Sequence, residues 1–179
     1  MKHDLFSIPI WTGNIDSKKV KLIEQNIQPT FGSEIKTTYH ESNKSNIHPE
    51  SLEYLYQVMK RLLAETVKVP FELRLINIWK NIYEDNDFQE THIHCGSDLS
   101  FVIYDDVIES NTVFVNPSLK LIAAYFVGRP KIKNILGVES FTPECRKNQI
   151  IIFPSYLEHF VKKTSNAITI SGNLELIVN

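Results

Sequence analysis

The sequence predicts a mostly antiparallel β sandwich or barrel with helices packed against its outside. The hydrophobic period changes from helical spacing to strict alternation at Pro70, which indicates helices before this residue and strands after it. Turn signals such as "CGSD" and "NPS" separate the alternating segments, and no βαβ alternation is present. We therefore expect one domain over 1–179, with a helical part at about 16–66 and a β-rich part at about 70–179.

Two helices are expected before Pro70. The first, over about 16–28, follows a cap at Asp16 or Ser17 and ends before a proline. Its apolar residues lie at helical spacing, at Val20, Ile23 and Ile27. The second begins in "PESLEYLYQVMKRLLAETV", where a proline suits the first turn. Its apolar stripe consists of Leu52, Leu55, Met59, Leu62 and Leu63. The polar stretch 30–47 is interpreted as a loop that covers a substrate cleft.

The longest predicted strand, "FELRLINIWKNIY", covers 71–83. Its odd-numbered face changes from apolar to polar along the strand, with Asn77, Trp79 and Asn81 before a final Tyr83. Such a change is expected where a strand leaves a core and enters a cavity, with Trp79 packed at the cavity edge. Further strands are predicted at 91–95, 99–105, 111–116, 121–127, 148–153, 158–163 and 167–178.

Composition and charge argue against several classes of function. The formal net charge of -2 and the pI near 6.3 offer no basic surface for nucleic acid. The apolar runs are far shorter than a membrane span, and Pro9 interrupts the apolar stretch that a signal peptide would need. Cys95 and Cys145 are too few for a disulfide framework, so we expect a cytoplasmic protein. A homodimer is left open.

Three histidines form a candidate metal site. In "ETHIHCGSDLSFVIYDD", His92 and His94 stand two positions apart, so on a strand both imidazoles could face one ion. A third, His159, begins a predicted strand in "NQIIIFPSYLEHFVKK". Three such ligands would leave three positions of an octahedral ion open, as catalysis requires. The alternative is that these are ordinary surface histidines, as we interpret His3, His40 and His48.

Several segments, in this order, resemble the 2-oxoglutarate/Fe(II)-dependent oxygenases common in tailed phages and marine bacteria. They are "LFSIPIWTGNI", "NIWKNIYEDNDFQETHIHCGSDLSFVIYDD", "VFVNPS", "QIIIFPSYLEHFVKK" and "ITISGNLEL". The resemblance implies a double-stranded β-helix, which is a cupin-like jelly roll. It also implies Fe(II) and 2-oxoglutarate as cofactors, with His92, His94 and His159 as metal ligands and catalytic residues. A phage-encoded member would act in the host cytoplasm.

Two positions differ from the wider superfamily. The ligand two positions after the first histidine is usually a carboxylate, but here it is His94, with Asp98 as a less favourably placed carboxylate. The arginine that usually binds the distal carboxylate of 2-oxoglutarate is replaced by Ala167 in "TSNAITISGN". Lys163 is the best local substitute for this charge. The other expected co-substrate ligands are polar and neutral: Asn77, Asn81, Tyr104, Thr169 and Ser171.

The sequence thus predicts a non-haem Fe(II), 2-oxoglutarate-dependent oxygenase that hydroxylates an unidentified substrate. Two other functions stay open. One is a three-histidine, cupin-like metalloenzyme that does not use 2-oxoglutarate, which the missing arginine favours. The other is a catalytically inactive jelly-roll binding module, to which a failure to bind metal would point.

Overall fold

The computed structural model describes residues 7–23, 26–29, 35–125, 127–128, 131, 138–164 and 166–178. Within these ranges the chain forms eleven strands and two α-helices. The helices are α1 (Pro49–Leu63) and α2 (Leu119–Tyr125). The strands are β1 (Trp11–Asn14), β2 (Gln28–Pro29), β3 (Lys36–Thr37), β4 (Phe71–Tyr83), β5 (Asp87–His92), β6 (Leu99–Asp106), β7 (Thr112–Val115), β8 (Ser140–Phe141), β9 (Gln149–Pro154), β10 (His159–Thr164) and β11 (Ala167–Val178).

The strands form two sheets in which neighbouring strands are antiparallel. The seven-stranded sheet has the order β1-β9-β6-β11-β4-β3-β2, and the four-stranded sheet has the order β5-β10-β7-β8. The mostly antiparallel β architecture predicted from the sequence is therefore confirmed. The helices of the described residues are too short or too polar to cross a membrane.

Helix α1 covers one face of the seven-stranded sheet. It begins with Pro49 at its first turn, as predicted, and its apolar stripe is turned inward. Leu55, Met59 and Leu63 are fully buried and belong to one core cluster with residues of β4, β6, β9 and β11. The apolar burial of this stripe stabilises the helix more than its intrinsic propensity does.

Strand β4 changes the face it presents at Ile76. Asn77 pairs with Asn173 but Leu75 pairs with Leu174, so Ile76 is an extra residue that forms a β-bulge. Before the bulge, Leu75 belongs to the helix-side core. After it, the side chains of the odd-numbered residues line cavities between the sheets: Asn77, Trp79, Asn81 and Tyr83. The predicted change from apolar to polar therefore arises because the odd-numbered side chains of β4 switch from the helix-side face of the sheet to the cavity side at the bulge.

A close approach at Gly172 fixes the pairing of β11 with its neighbours. A Cβ atom there would lie 2.5 Å from Cζ of Phe101 and 2.7 Å from the backbone oxygen of Asn77. We expect Gly172→Ala to lower the free energy of unfolding by about 1–3 kcal/mol, as measured by urea denaturation. Gly13→Ala is the control, because its Cβ would meet only the flexible side chain of Leu62. Equal losses in the two variants would contradict a role for the rigid Asn77 backbone.

The predicted helix over 16–28 is wrong. Among the described residues of this range the only helical turn is a 3-10 turn at Ser17–Lys19, where the Asp16 side chain accepts a hydrogen bond from the Lys18 backbone N–H. The chain then runs extended against residues 46–48, and Leu22 forms a β-bridge with Ile47. Ile23 and Ile27 are half exposed, so tertiary pairing has overridden the helical spacing. Residues 24–25 lie outside the described ranges.

The predicted strand over 121–127 is also wrong, because residues 119–125 form α2. Its two alanines, Ala123 and Ala124, favour a helix. The backbone N–H of Ile122 donates to the carbonyl oxygen of Ser118 at 2.9 Å, as in a helical turn. Residue 126 lies outside the described part of the chain. The predicted strand at 91–95 instead covers 87–92, so it ends at His92. The other predicted strands match β4, β6, β7, β9, β10 and β11 to within one residue.

Candidate metal centre

Two of the three predicted histidines lie at the ends of paired strands. His92 is the last residue of β5, His159 is the first residue of β10, and the two are directly opposite in the ladder. His94 lies two residues beyond β5, so the expectation that it would be on the same strand is wrong. Its backbone N–H donates to the carbonyl oxygen of Ser155 at 2.9 Å, which holds this loop against the turn between β9 and β10.

The structure brings the three imidazoles together. One ring nitrogen of each histidine lies within 4.8 Å of those of the other two. The Nε2 atoms of His94 and His159 are 3.3 Å apart. His159 is buried and the other two are partly buried. Asp98 is not part of this group, since its carboxylate accepts the backbone N–H of Leu176 at 2.9 Å.

The hydrogen bonds of the rings leave the Nε2 atoms free for a metal ion. Nδ1–H of His92 donates to the carbonyl oxygen of Glu90 at 2.7 Å, and Nδ1–H of His159 donates to that of Leu157 at 2.9 Å. Nδ1–H of His94 donates to Oδ1 of Asn173 at 2.7 Å. Because these oxygens only accept, each Nδ1 must carry the hydrogen, and each neutral ring keeps its lone pair on Nε2.

Burial keeps the three rings neutral. It lowers the pKa of His92, and it lowers the pKa of His94 to about 4 with a smaller contribution from the charge of His92. Burial, with a smaller contribution from the charge of His92, lowers the pKa of His159 to about 3. At neutral pH all three are therefore competent ligands. Three neutral imidazoles with converging lone pairs fit a mononuclear Fe(II), although other divalent metals accept the same donors.

Two cavities meet at the histidines. The outer cleft has a volume of about 530 Å³ and is lined by residues of the 35–39 segment, β4, β5 and the 93–97 loop. The inner cavity lies between the two sheets and is narrow, about 30 Å³. Trp79, Asn81, Gln89, His92 and His94 line both. Trp79 is buried and its ring stacks on His94 with centroids 5.7 Å apart, which confirms its predicted place at the cavity edge.

Four of the six predicted co-substrate ligands line the inner cavity: Asn81, Tyr104, Thr169 and Ser171. Asn81 connects two hydroxyl groups of the inner cavity to Thr37 of the outer cleft. Its Oδ1 accepts a hydrogen bond from Thr37 at 2.7 Å, and its Nδ2 donates to the hydroxyls of Thr169 and Ser171, each at 3.4 Å. The polar wall predicted from strand parity is therefore present.

The structure does not bring Lys163 to this wall. Lys163 is exposed and lines a separate surface depression. The sequence argument gave it the same parity as His159, but the pairing of β10 with β5 shifts register between Val161 and Thr164. Thr164 consequently lines the inner cavity in the place expected for Lys163. Among the described residues, no lysine or arginine lines this cavity, and Glu109 is its one charged residue.

Asn77 lies apart from the other predicted ligands and lines the outer cleft. Its Nδ2 donates to the hydroxyl of Ser42 at 3.3 Å. Its Oδ1 is buried and has no hydrogen-bond partner among the described residues. A buried acceptor without a partner is costly, so a group that donates to this oxygen would be favoured in the outer cleft.

Sequence reasoning missed several polar residues of the site. The Tyr104 hydroxyl lies 2.8 Å from Oγ of Ser110 and donates to Oγ1 of Thr112 at 3.0 Å, so three buried hydroxyls converge. Burial raises the pKa of Tyr104, which keeps its proton available for donation. Ser110 lies in a turn and gave no periodic signal. Asn173 did give one, because it shares strand parity with Thr169 and Ser171.

The fold and the site together define a jelly-roll protein with a candidate metal centre of three histidines. A family model described as "Putative 2OG-Fe(II) oxygenase" matches residues 77–173, a span that holds all three histidines and more than half of the chain. The chain belongs to this family of 2-oxoglutarate/Fe(II) oxygenases. The prediction of a 2-oxoglutarate-dependent dioxygenase with Fe(II) and 2-oxoglutarate as cofactors is confirmed at the level of the family.

Solved structures with the same fold share little sequence with the chain. An oxidoreductase of the 2OG-Fe(II) oxygenase family from Burkholderia pseudomallei has a TM-score of 0.55 at 11% identity, over 85% of this chain and 72% of that one. HygX from Streptomyces hygroscopicus, with nickel, 2-oxoglutarate and hygromycin B bound, has a TM-score of 0.55 at 11% identity, over 94% and 82%. The α-ketoglutarate-dependent epimerase SnoN from nogalamycin biosynthesis has a TM-score of 0.55 at 12% identity, over 83% and 65%. No curated protein matches the chain.

Proposed function

We propose that this protein is a non-haem Fe(II), 2-oxoglutarate-dependent hydroxylase whose metal is held by His92, His94 and His159. The observation that carries the proposal is the convergence of three neutral rings with their Nε2 atoms free. Three protein ligands leave coordination positions for small molecules, which a catalytic metal needs and a structural metal does not. When bound, Fe(II) and 2-oxoglutarate would activate dioxygen, so that one of its oxygen atoms enters a C–H bond of the substrate and the other enters the succinate formed as 2-oxoglutarate loses CO2.

The chain's own residues orient the ligands and exclude water. The carbonyl oxygens of Glu90 and Leu157 hold two of the rings by their Nδ1–H groups, so that Nε2 faces the centre. Phe153 and Phe114 lie beside His159, with ring centroids at 4.8 Å and 5.8 Å. Trp79 covers His94 from the other side. This apolar surround limits the access of water to the metal, which protects a reactive oxidant.

In this proposal the distal carboxylate of 2-oxoglutarate lies in the inner cavity. Asn81, Tyr104, Thr169 and Ser171 offer it neutral hydrogen-bond donors, since Ala167 stands where the usual arginine would be. The cavity of about 30 Å³ has room for only about two water molecules, so the lining side chains must change rotamer when the five-carbon diacid binds. A net positive charge remains on a metal with three neutral ligands, and this charge attracts the dianion.

We expect Tyr104→Phe to weaken the binding of 2-oxoglutarate by roughly tenfold, the effect of losing a hydrogen bond to a charged group. Tyr56→Phe is the matched control, because Tyr56 lies on α1 and lines neither cavity. Its hydroxyl accepts a hydrogen bond from the backbone N–H of Leu75 at 2.7 Å. The measurement is a titration of the Fe(II)-loaded protein with 2-oxoglutarate. An unchanged affinity in Tyr104→Phe would remove this hydroxyl from the proposed co-substrate site.

The outer cleft is proposed to take the primary substrate. It is wide enough for a small molecule or an extended side chain, and His92 and His94 line it directly. The Tyr39 ring meets Trp79 edge-on at 5.0 Å, which gives the cleft an aromatic wall. The predicted lid over 30–47 is retained in part: Ile35, Thr37 and Tyr39 line the cleft, whereas residues 30–34 lie outside the described ranges. Deletion of the loop should abolish substrate turnover.

The decisive experiment is an anaerobic titration of the Fe(II)-loaded protein with 2-oxoglutarate. The proposal expects the weak visible charge-transfer band of a bidentate chelate, and no band in His159→Ala. Iron binding without the band would favour the three-histidine, cupin-like enzyme. The observation that supports this alternative is that no lysine or arginine lines the inner cavity among the described residues. Failure to bind any metal would instead leave a binding module.

A further inference from the structure

Three buried polar side chains and one partly buried serine connect His94 to the protein interior. Oδ1 of Asn173 accepts hydrogen bonds from Nδ1–H of His94 at 2.7 Å and from the Ser100 hydroxyl at 2.8 Å. The Ser100 hydroxyl lies 2.8 Å from that of Ser155, which accepts from the Ser97 hydroxyl at 2.9 Å. Ser100 and Ser155 are fully buried, and Asn173 is 7% exposed.

The amide oxygen at the end of this series of hydrogen bonds determines the direction of every bond in it. The amide oxygen of Asn173 can only accept, so the single hydroxyl proton of Ser100 points to it. Ser100 must then accept from Ser155, and Ser155 in turn must accept from Ser97. All the hydroxyl dipoles therefore point toward Asn173, and each bond polarises the next. The Ser100 hydroxyl is a stronger donor as a result, and its bond holds the Asn173 amide with the oxygen toward His94.

The backbone fixes this arrangement at both ends. Asn173 and Ser100 are directly opposite on β11 and β6. The carbonyl oxygen of Ser155 accepts a hydrogen bond from the backbone N–H of His94. The hydroxyl of Ser155 is connected to the His94 ring through Ser100 and Asn173, so Ser155 constrains both parts of His94. Apolar residues would fill this part of the core at lower cost, because buried polar groups must first lose their hydration. The polar set is thus placed where it serves the metal ligand.

We propose that Asn173 is a positioning residue for the metal centre, with Ser100, Ser155 and Ser97 as its support. It fixes the Nδ1–H tautomer of His94 and turns the Nε2 lone pair toward His92 and His159. The inference rests on the proposed function in that it takes His94 to be a metal ligand. It also gives a role to the serine of the "FPS" stretch and to the serine of "SFVIY", which ligation by the histidines leaves unexplained.

The test compares Co(II) affinity, as a spectroscopic stand-in for Fe(II), in the full-length protein and its variants. Asn173→Leu removes the acceptor at similar volume, and we expect it to weaken Co(II) binding by roughly 10–100-fold. Asn173→Asp keeps an acceptor in place and should bind Co(II) at least as tightly as the wild type. Ser100→Ala leaves the His94 contact intact and should weaken binding by only a few-fold. Ser51→Ala is the matched control, a buried serine on α1 outside both cavities.

A second measurement separates positioning from a merely structural role. Nitrogen-15 NMR of the histidine rings in the metal-free protein should show the Nδ1–H tautomer of His94 in the wild type and a shift toward Nε2–H in Asn173→Leu. Co(II) affinity within twofold of the wild type in folded Asn173→Leu, with an unchanged tautomer, would overturn the inference alone. If Asn173→Leu does not fold, Co(II) affinity in Ser100→Ala equal to that of the wild type would overturn it. A wild-type protein that binds no Co(II) would overturn the proposed function, and this inference with it.

Discussion

His159→Ala is expected to weaken Fe(II) binding by more than about 100-fold, beyond the 10–100-fold typical of losing a hydrogen-bond partner of a ligand. His159 is the most buried of the three histidines, and its Nε2 is 3.3 Å from that of His94. Removing it leaves two ligands at the edge of a cavity, where water would have to complete the coordination. The dissociation constant can be measured anaerobically with Fe(II), or in air with Co(II), by titration calorimetry.

His48→Ala provides the matched control for this prediction. His48 is exposed, precedes α1 without capping it through its side chain, and lines neither cavity, so its loss should leave metal affinity unchanged. Circular dichroism of the metal-free proteins must show that His159→Ala is folded, because the ring also packs against Phe153. Affinity within about threefold of the wild type in folded His159→Ala would remove the three-histidine cluster as the metal site.

The sequence was a good guide wherever local pattern and tertiary packing agree. Strand β11 was predicted at its observed bounds, and α1 with its buried stripe was predicted correctly, since each presents one apolar face to the core. Two predictions failed where a different force decides. Residues 21–23 belong to a segment with helical spacing but pair with 46–48, and residues 119–125 form a helix in place of the predicted strand. Pairing partners far along the chain are invisible to local periodicity.

The site shows the same division between local and long-range information. The two-residue spacing of His92 and His94 and the position of His159 at the start of a strand were readable from the sequence, and the structure places the three together. Lys163 was misplaced because a register shift in β10 reverses the strand's parity. Irregularities of this kind depend on how two strands pair, so no parity argument on one strand can reveal them.

Acidification is expected to destabilise the metal-free wild type more steeply than a His159→Gln variant. Burial holds the pKa of His159 at about 3 and that of His94 at about 4, whereas both rings titrate near 6.5 in the unfolded chain. Between these values the unfolded chain binds protons that the folded chain does not, so the free energy of unfolding falls as the pH falls. The contribution is complete above about pH 6.5 and decreases by about 1.4 kcal/mol per pH unit for each histidine.

Urea denaturation of both proteins at several pH values between about 7 and 5 measures this difference. Carboxylates that also titrate in this range affect both proteins alike and cancel, so the wild type should lose about 1.4 kcal/mol more per pH unit than His159→Gln below about pH 6. Parallel slopes would mean that His159 is protonated as easily in the folded state as in the unfolded one, which contradicts its burial. A steeper wild-type slope would show that folding itself holds the ring neutral. The ligand would then be ready for the metal without first releasing a proton.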